Sequence, residues 1–167
     1  MNAEAYLGLG GNLGNPKETF EKALHLISDF VIIEKISRLY KSAPFGYSDQ
    51  PSFINAAVQI RTESPPLELL SHLQIIEKKL GKKVIHKNGP RIIDLDLLVY
   101  KELTLESENL TLPHPGILDR DFVLLPLLDL NPRLTQPAWG SKTLKSALSG
   151  LQKIFVKENP EYWDYLF

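Results

Sequence analysis

The chain of 167 residues contains no cysteine, which excludes disulfides, thiolate metal sites and thiol catalysis. No apolar run approaches the roughly 20 residues of a membrane-spanning helix. Met1 is not followed by a basic segment and an apolar signal core, so a cytoplasmic location with no membrane partner is the expectation. Neither sign of charge is in excess: 19 Lys and Arg face 20 Asp and Glu, the net charge is −1, and the two signs are interspersed. That balance argues against nucleic acid as a partner. Glycine signatures for phosphate are also missing. Gly8-Leu9-Gly10-Gly11-Asn12-Leu13 carries leucine where a dinucleotide-binding turn has its third glycine, and Gly81-Lys82-Lys83 does not fit a Walker loop. With 43% hydrophobic and 23% charged residues, no repeat and no boundary, residues 1–167 are expected to form one soluble, monomeric domain.

What is present reads as alternating strands and helices. Ala3 to Gly10 predicts a first strand, and the turn after it leads to a helix with Asn15 as N-cap, Pro16 at its first position and Glu18 three residues past the cap. Val31 to Tyr40 predicts a second strand and Phe53 to Arg61 a third. The loop between them, Lys41 to Ser52, is long enough to suggest a function. At its exit Phe53 and Asn55 share a face, a stacking ring beside a bidentate amide; packing of Phe53 and backbone bonding by Asn55 is the alternative. Ser64-Pro65 opens a second helix, striped by Leu67, Leu70, Leu73, Ile76 and Leu80 and stopped by Gly81. Lys82 to Gly89 is a loop with three lysines, either a phosphate clamp or a solvated connector. Leu103-Thr104-Leu105 and Leu110-Thr111-Leu112 predict a small hairpin. A helix is expected from Asp119 to Leu130, ended or kinked by Pro126, and another from Ser141 to Leu151. The Asn159 to Phe167 tail offers only its aromatics.

The stretch Gly89-Pro90-Arg91-Ile92-Ile93-Asp94-Leu95-Asp96-Leu97-Leu98-Val99-Tyr100 is the most informative. From Ile92 it reads as a buried strand interrupted by two acids. Alternate side chains share a face and the rise is roughly 3.3 Å per residue, so Asp94 and Asp96 lie side by side about 7 Å apart. Two like charges on an apolar strand need a cation opposite them. Arg91 is close, and Mg²⁺, which takes one or two carboxylates plus water and phosphate oxygens, suits the pair. An edge strand whose acids face water is the plainer alternative.

Strand, helix, two strands, helix, strand is the β-α-β-β-α-β order of a ferredoxin-like α+β sandwich, here with an added β-hairpin and C-terminal helices. Helices should cover one face, leaving the other to Phe53, Asn55, Asp94 and Asp96. Taken together, Gly10-Gly11-Asn12-Leu13, Asp49-Gln50-Pro51-Ser52-Phe53-Ile54-Asn55-Ala56-Ala57, Gly89-Pro90-Arg91-Ile92-Ile93-Asp94-Leu95-Asp96 and Leu112-Pro113-His114 resemble the 6-hydroxymethyl-7,8-dihydropterin pyrophosphokinases of folate biosynthesis. The resemblance runs in order from about residue 4 to residue 135.

The resemblance implies transfer of diphosphate from ATP to the hydroxymethyl oxygen of the reduced pterin, with release of AMP. It implies two Mg²⁺ ions on Asp94 and Asp96, and catalytic roles for Lys82 and Arg91. Gln74, Glu77, Lys82, Arg91, Thr111, His114 and Arg120 are the expected ATP residues. The pterin is expected between the rings of Phe53 and Phe122, with Asn55, Asp94 and the Ser42, Pro44 and Phe45 segment at its polar edge. Lys82, Lys83, Lys87 and Asn88 stand where the family carries arginines and a tryptophan, and Asn109 and Pro115 also depart from its pattern. Lysine is a point charge and does not fork onto phosphate. The alternative from another class, a ferredoxin-like reader of single-stranded RNA, needs basic surface and has no use for paired acids.

Overall fold

The computed structural model describes residues 2–83 and 86–164. Its sheet is built from β1 (Ala3–Gly11), β2 (Ile32–Ile36), β3 (Tyr40–Ser42), β4 (Phe53–Thr62) and β5 (Asp94–Tyr100). The strands run in the order β2-β4-β1-β5, all pairs antiparallel, with β3 also on β4. Helix α1 (Pro16–Ile27) follows β1 and α2 (Pro66–Lys79) follows β4, so the ferredoxin-like order holds. Asn15 caps α1 through Glu18 N–H, and Pro16 opens the helix. The hairpin is β6 (Leu105–Glu106) with β7 (Thr111–Leu112).

Alternation along the strands sorts the core into two layers. Leu7 and Leu9 of β1, Val58 and Ile60 of β4, and Leu95 and Leu97 of β5 pack under α1 and α2 with Phe20, Leu24, Leu69 and Leu73. Tyr6 and Ala57 belong to the other layer with Leu98 and Val99, two neighbours that share it because the β1–β5 register shifts between Tyr6 and Leu7; Leu124, Leu127 and Leu130 of α3 (Asp121–Leu130) and Leu144 of α4 (Leu144–Ser149) cover them. The second face is therefore not left open, as the sequence order suggested. Helices α3 and α4 close part of it, and the site occupies the part beside Gly8 and Gly10.

Several boundaries differ from expectation. The single strand over 31–40 is two, β2 and β3, because the Ser37 hydroxyl accepts the Ala57 N–H in place of a backbone carbonyl and breaks the ladder. The acidic strand begins at Asp94, two residues late, since Ile92 and Arg91 turn aside to meet the end of β1. Helix α3 starts at Asp121 rather than Asp119 and runs through Pro126 to Leu130. Proline just past the first turn removes one ladder bond, and burial of Leu124, Leu127 and Leu130 offsets that loss. Helix α4 is shorter than the predicted 141–151.

Two side-chain anchors fix the parts that carry the site. Asp129 near the end of α3 takes the Arg38 guanidinium at 2.8 Å and the Tyr40 hydroxyl at 2.9 Å. Burial alone would raise its pKa, but the Arg38 hydrogen bonds outweigh it and hold the carboxyl below its ordinary value. The C-terminal tail, silent in sequence, lies along the sheet edge: Leu39 pairs with Glu161 and Ser42 with Val156. Beyond them, Trp163 enters the main core, edge-on to Phe20, with its indole N–H donating to the Ser37 carbonyl at 2.7 Å.

Candidate active site

The floor of the site is a stripe of β1 without side chains. Gly10 lies opposite Asn55 of β4 on one side and Asp94 of β5 on the other; Gly8 lies likewise between Ala57 and Asp96. Absence of side chains on the middle strand lets the flanking ones face a common cavity of about 190 Å³. Asp94, Asp96, Asn55, Phe53, Phe122 and Arg91 all line it, as do Ser42, Phe45, His114 and Arg120.

The next glycine serves a different purpose. A Cβ on Gly11 would stand 2.6 Å from the Ile92 carbonyl, so only glycine permits this approach. The Asn12 N–H then donates to the Arg91 carbonyl at 2.9 Å, and the Asn12 Oδ1 accepts the Arg91 N–H, also at 2.9 Å. The Asn12 amide nitrogen meanwhile donates to Gln50 Oε1 and to the Pro51 carbonyl. Gln50 in turn donates to the backbone of Tyr47 and Asn88. Asn12 and Gln50 thus knot the Gly89–Arg91 segment to the 43–52 loop, a role the sequence reading did not assign to them. The Gly-Gly-Asn and Asp-Gln-Pro motifs were its only signal.

Charge is arranged around Asp94. Its Oδ1 takes Lys82 Nζ at 2.7 Å and Arg91 Nη1 at 3.3 Å. Lys82 also touches buried Glu77 at 2.9 Å. Burial would lower the lysine pKa, yet Asp94 and Glu77 override it and keep Lys82 protonated above its ordinary range. Glu77 is likewise pushed up, in its case by burial, and its carboxylate accepts the Leu95 N–H at 2.7 Å. Glu77 is therefore a brace for β5.

Asp96 contrasts with its neighbour. Among the described residues its side chain has no hydrogen bond or ion pair. Its carboxylate opens to the cavity but is crowded by protein elsewhere, and that crowding, ahead of the like charge of Asp94, pushes its pKa up to about 6. No cluster of three or more His, Cys, Asp or Glu side chains stands ready for a metal among the described residues. The donor set fits Mg²⁺ nonetheless: two hard carboxylates on one face, one already paired with an ammonium, suit an ion that completes its shell with water and phosphate oxygens.

The remaining predicted residues divide. His114 lines the cavity, and its Nδ1 accepts the Gly116 N–H at 3.0 Å, which leaves the ring proton on Nε2. Burial, helped by the Arg120 charge, lowers its pKa and keeps it neutral, a donor through Nε2. Arg120 lies over the Phe45 ring at 4.4 Å. Gln74, Glu77 and Lys82 line a second cavity of about 440 Å³, so Lys82 stands between the two. Thr111 and Pro44 line neither. Asn55 is corrected: its amide nitrogen donates to the Tyr40 carbonyl and to Ser42 Oγ, so both donors are committed and only Oδ1 is free to read a ligand. It is not a bidentate amide. The lysine loop is described except for residues 84 and 85, which lie outside the described residues; His86 meets Tyr47 edge-on, joining this loop to the 43–52 loop.

Fold and site together define an α+β domain that sets an acid pair and its cations at the floor of an aromatic cleft. The chain belongs to the family described as 7,8-dihydro-6-hydroxymethylpterin-pyrophosphokinase (HPPK), whose model matches residues 6–132. It is 39% identical over 137 residues to the 2-amino-4-hydroxy-6-hydroxymethyldihydropteridine pyrophosphokinase of Aquifex aeolicus, covering 82% of this chain and 86% of that one. It is 42% identical over 140 residues to the folic acid synthesis protein fol1 of Pneumocystis carinii, covering 83% of this chain but 19% of that protein. The chain thus spans about a fifth of the fol1 proteins it matches. Among solved structures, Plasmodium falciparum HPPK-DHPS superposes with a TM-score of 0.73 at 17% identity, covering 89% of this chain and 44% of that one, a likeness of fold.

Proposed function

We propose that this chain transfers diphosphate from ATP to the hydroxymethyl oxygen of 6-hydroxymethyl-7,8-dihydropterin, releasing AMP, as one monomeric cytoplasmic domain spanning residues 1–167. The observation that carries this reading is the convergence of Asp94, Asp96, Arg91, Phe53 and Phe122 on one cavity over the Gly8–Gly10 stripe. Relatives named for this activity support it over most of the chain.

Phosphoryl-type transfer needs positioning and charge neutralisation more than covalent help from the protein. Phe53 and Phe122 bind the flat pterin, stacking contributing on the order of 1 kcal/mol per ring beyond burial. Asn55 offers Oδ1 to the N–H edge of the pterin, its orientation locked by Tyr40 and Ser42. Backbone of the Ser42–Phe45 segment supplies the rest of that edge. Arg91, Arg120 and the Nε2 proton of His114 face the phosphates, and Lys82 exchanges Asp94 for a phosphate oxygen. Gln74 and Glu77 flank the nucleotide beyond Lys82, with Thr111 on β7 further out. Asp94 and Asp96 would hold two Mg²⁺ ions, which when bound neutralise the phosphates and steady the attacking and leaving oxygens.

The test is to incubate the protein with ATP, Mg²⁺ and the reduced hydroxymethylpterin. AMP and the pterin diphosphate ester should appear in equal amounts. Formation of ADP, or no nucleotide product, would overturn the reading. The aromatic assignment has its own check. Phe122→Ala should weaken pterin binding by about tenfold and ATP binding hardly at all, since one ring contact is worth about 1 kcal/mol or somewhat more. Equal losses for both ligands in calorimetry would contradict it.

A further inference from the structure

Phe155 lies beyond residue 132, where the family match ends, between the last helix and the aromatic tail. Its ring centroid is 5.6 Å from Phe45 and 5.7 Å from Phe122, and those two are 6.2 Å from each other. The three rings form a closed triangle. Phe45 and Phe122 line the cavity and Phe155 does not, so Phe155 supports both rings from outside it.

The backbone of Phe155 is held with unusual firmness for a segment in no named strand. Its N–H and that of Val156 both donate to Oδ2 of Asp121, each at 2.9 Å. Asp121 is buried at the first position of α3, where the helix dipole favours a negative charge, and it directly precedes Phe122. The Phe155 carbonyl accepts the Ala43 N–H at 2.7 Å, at the start of the loop that carries Phe45. Lys157 bonds the Lys41 carbonyl through its N–H and Ser52 Oγ through its ammonium, at the two ends of that loop. One short strap therefore fixes α3 and the 43–52 loop relative to each other.

We infer that Phe155 is a positioning residue for the pterin, setting the spacing and tilt of Phe45 and Phe122 so that the cleft accepts a flat bicyclic ring. This rests on the function proposed above. A ring that supports other rings, rather than the substrate, acts on pterin affinity and leaves ATP binding and the transfer step alone. Aromatic contacts each contribute about 0.5–1.5 kcal/mol, so losing two predicts a change of about tenfold.

Steady-state kinetics of AMP release tests this. Phe155→Ala should raise the KM for pterin by about tenfold, with KM for ATP and kcat within about threefold of wild type. Phe155→Tyr keeps the ring on a half-buried site and should restore the pterin KM to within about twofold. In a Phe45→Ala, Phe122→Ala background the further change Phe155→Ala should alter the pterin KM by less than about twofold, because its partners are gone. Should thermal melting show that Phe155→Ala does not fold, Phe155→Leu carries the same comparison with a severalfold rise expected. An unchanged pterin KM, parallel rises for pterin and ATP, or additive effects in the double background would each overturn the role of Phe155. Wild-type protein that forms no AMP would instead overturn the function on which it rests.

Discussion

Asp96→Asn is expected to lower AMP formation by roughly 10²–10³-fold or more, the scale seen when one group that stabilises developing charge is removed. Of the two acids it gives the cleaner test. Asp94 is paired with Lys82 and Arg91, so its replacement would also strand two cations and mix loss of chemistry with loss of fold. Asp96 has no such partner among the described residues, and Asn conserves its volume. The metal-free protein should even gain stability. The Asp96 pKa is raised to about 6 by protein crowded around its carboxylate and by Asp94, whereas an unfolded aspartate titrates near 3.9. The folded state therefore holds the extra proton between about pH 4 and 6, and stability falls as pH rises through that window. Asparagine carries no charge to lose, so the Asp96→Asn melting temperature should exceed that of wild type above pH 6. Turnover at the wild-type rate by the purified variant would remove Asp96 from the machinery.

Trp163→Ala should cost about 3–5 kcal/mol of folding stability, the range for truncating a buried aromatic. Trp163 is 6% exposed, packs edge-on to Phe20 and donates to the Ser37 carbonyl, so truncation leaves both a cavity and an unpaired buried carbonyl. Urea unfolding reads the change directly. Trp163→Phe keeps most of the apolar area and should lose much less. A change below about 1 kcal/mol for the alanine variant would mean that the C-terminal strap is not rooted in the core.

The contrast between these two residues shows which parts of the site could be read from sequence. Asp96 was legible because a strand has period 2: two acids at that spacing must share a face, whatever the fold around them. Phe53 and Asn55 were placed by the same rule, and Asn15 with Pro16 fixed the start of α1. Trp163, Phe155 and Asp121 carry no period. Their positions follow from a tail that meets β3 through three-dimensional closure, which no local pattern encodes. The break at Ser37 was hidden for a related reason, since a hydroxyl replacing a carbonyl in the ladder leaves the apolar alternation intact. Asn55 was placed correctly but given too many free donors, because its partners Tyr40 and Ser42 lie on the short strand that the break creates. Pro126 does not end the helix because its cost depends on how far into the helix it falls and on what is buried beside it.

The indole of Trp163 reaches a carbonyl 126 residues earlier in the chain, and this separation has a consequence for the order in which the protein is made. A ribosome has delivered every strand of the main sheet, with both acids, once Tyr100 has emerged. The strap that braces Phe45 and Phe122 comes more than fifty residues later, and contacts so distant along the chain form slowly. For that interval a nascent chain has its ionic floor but not yet the strap that braces its aromatic wall.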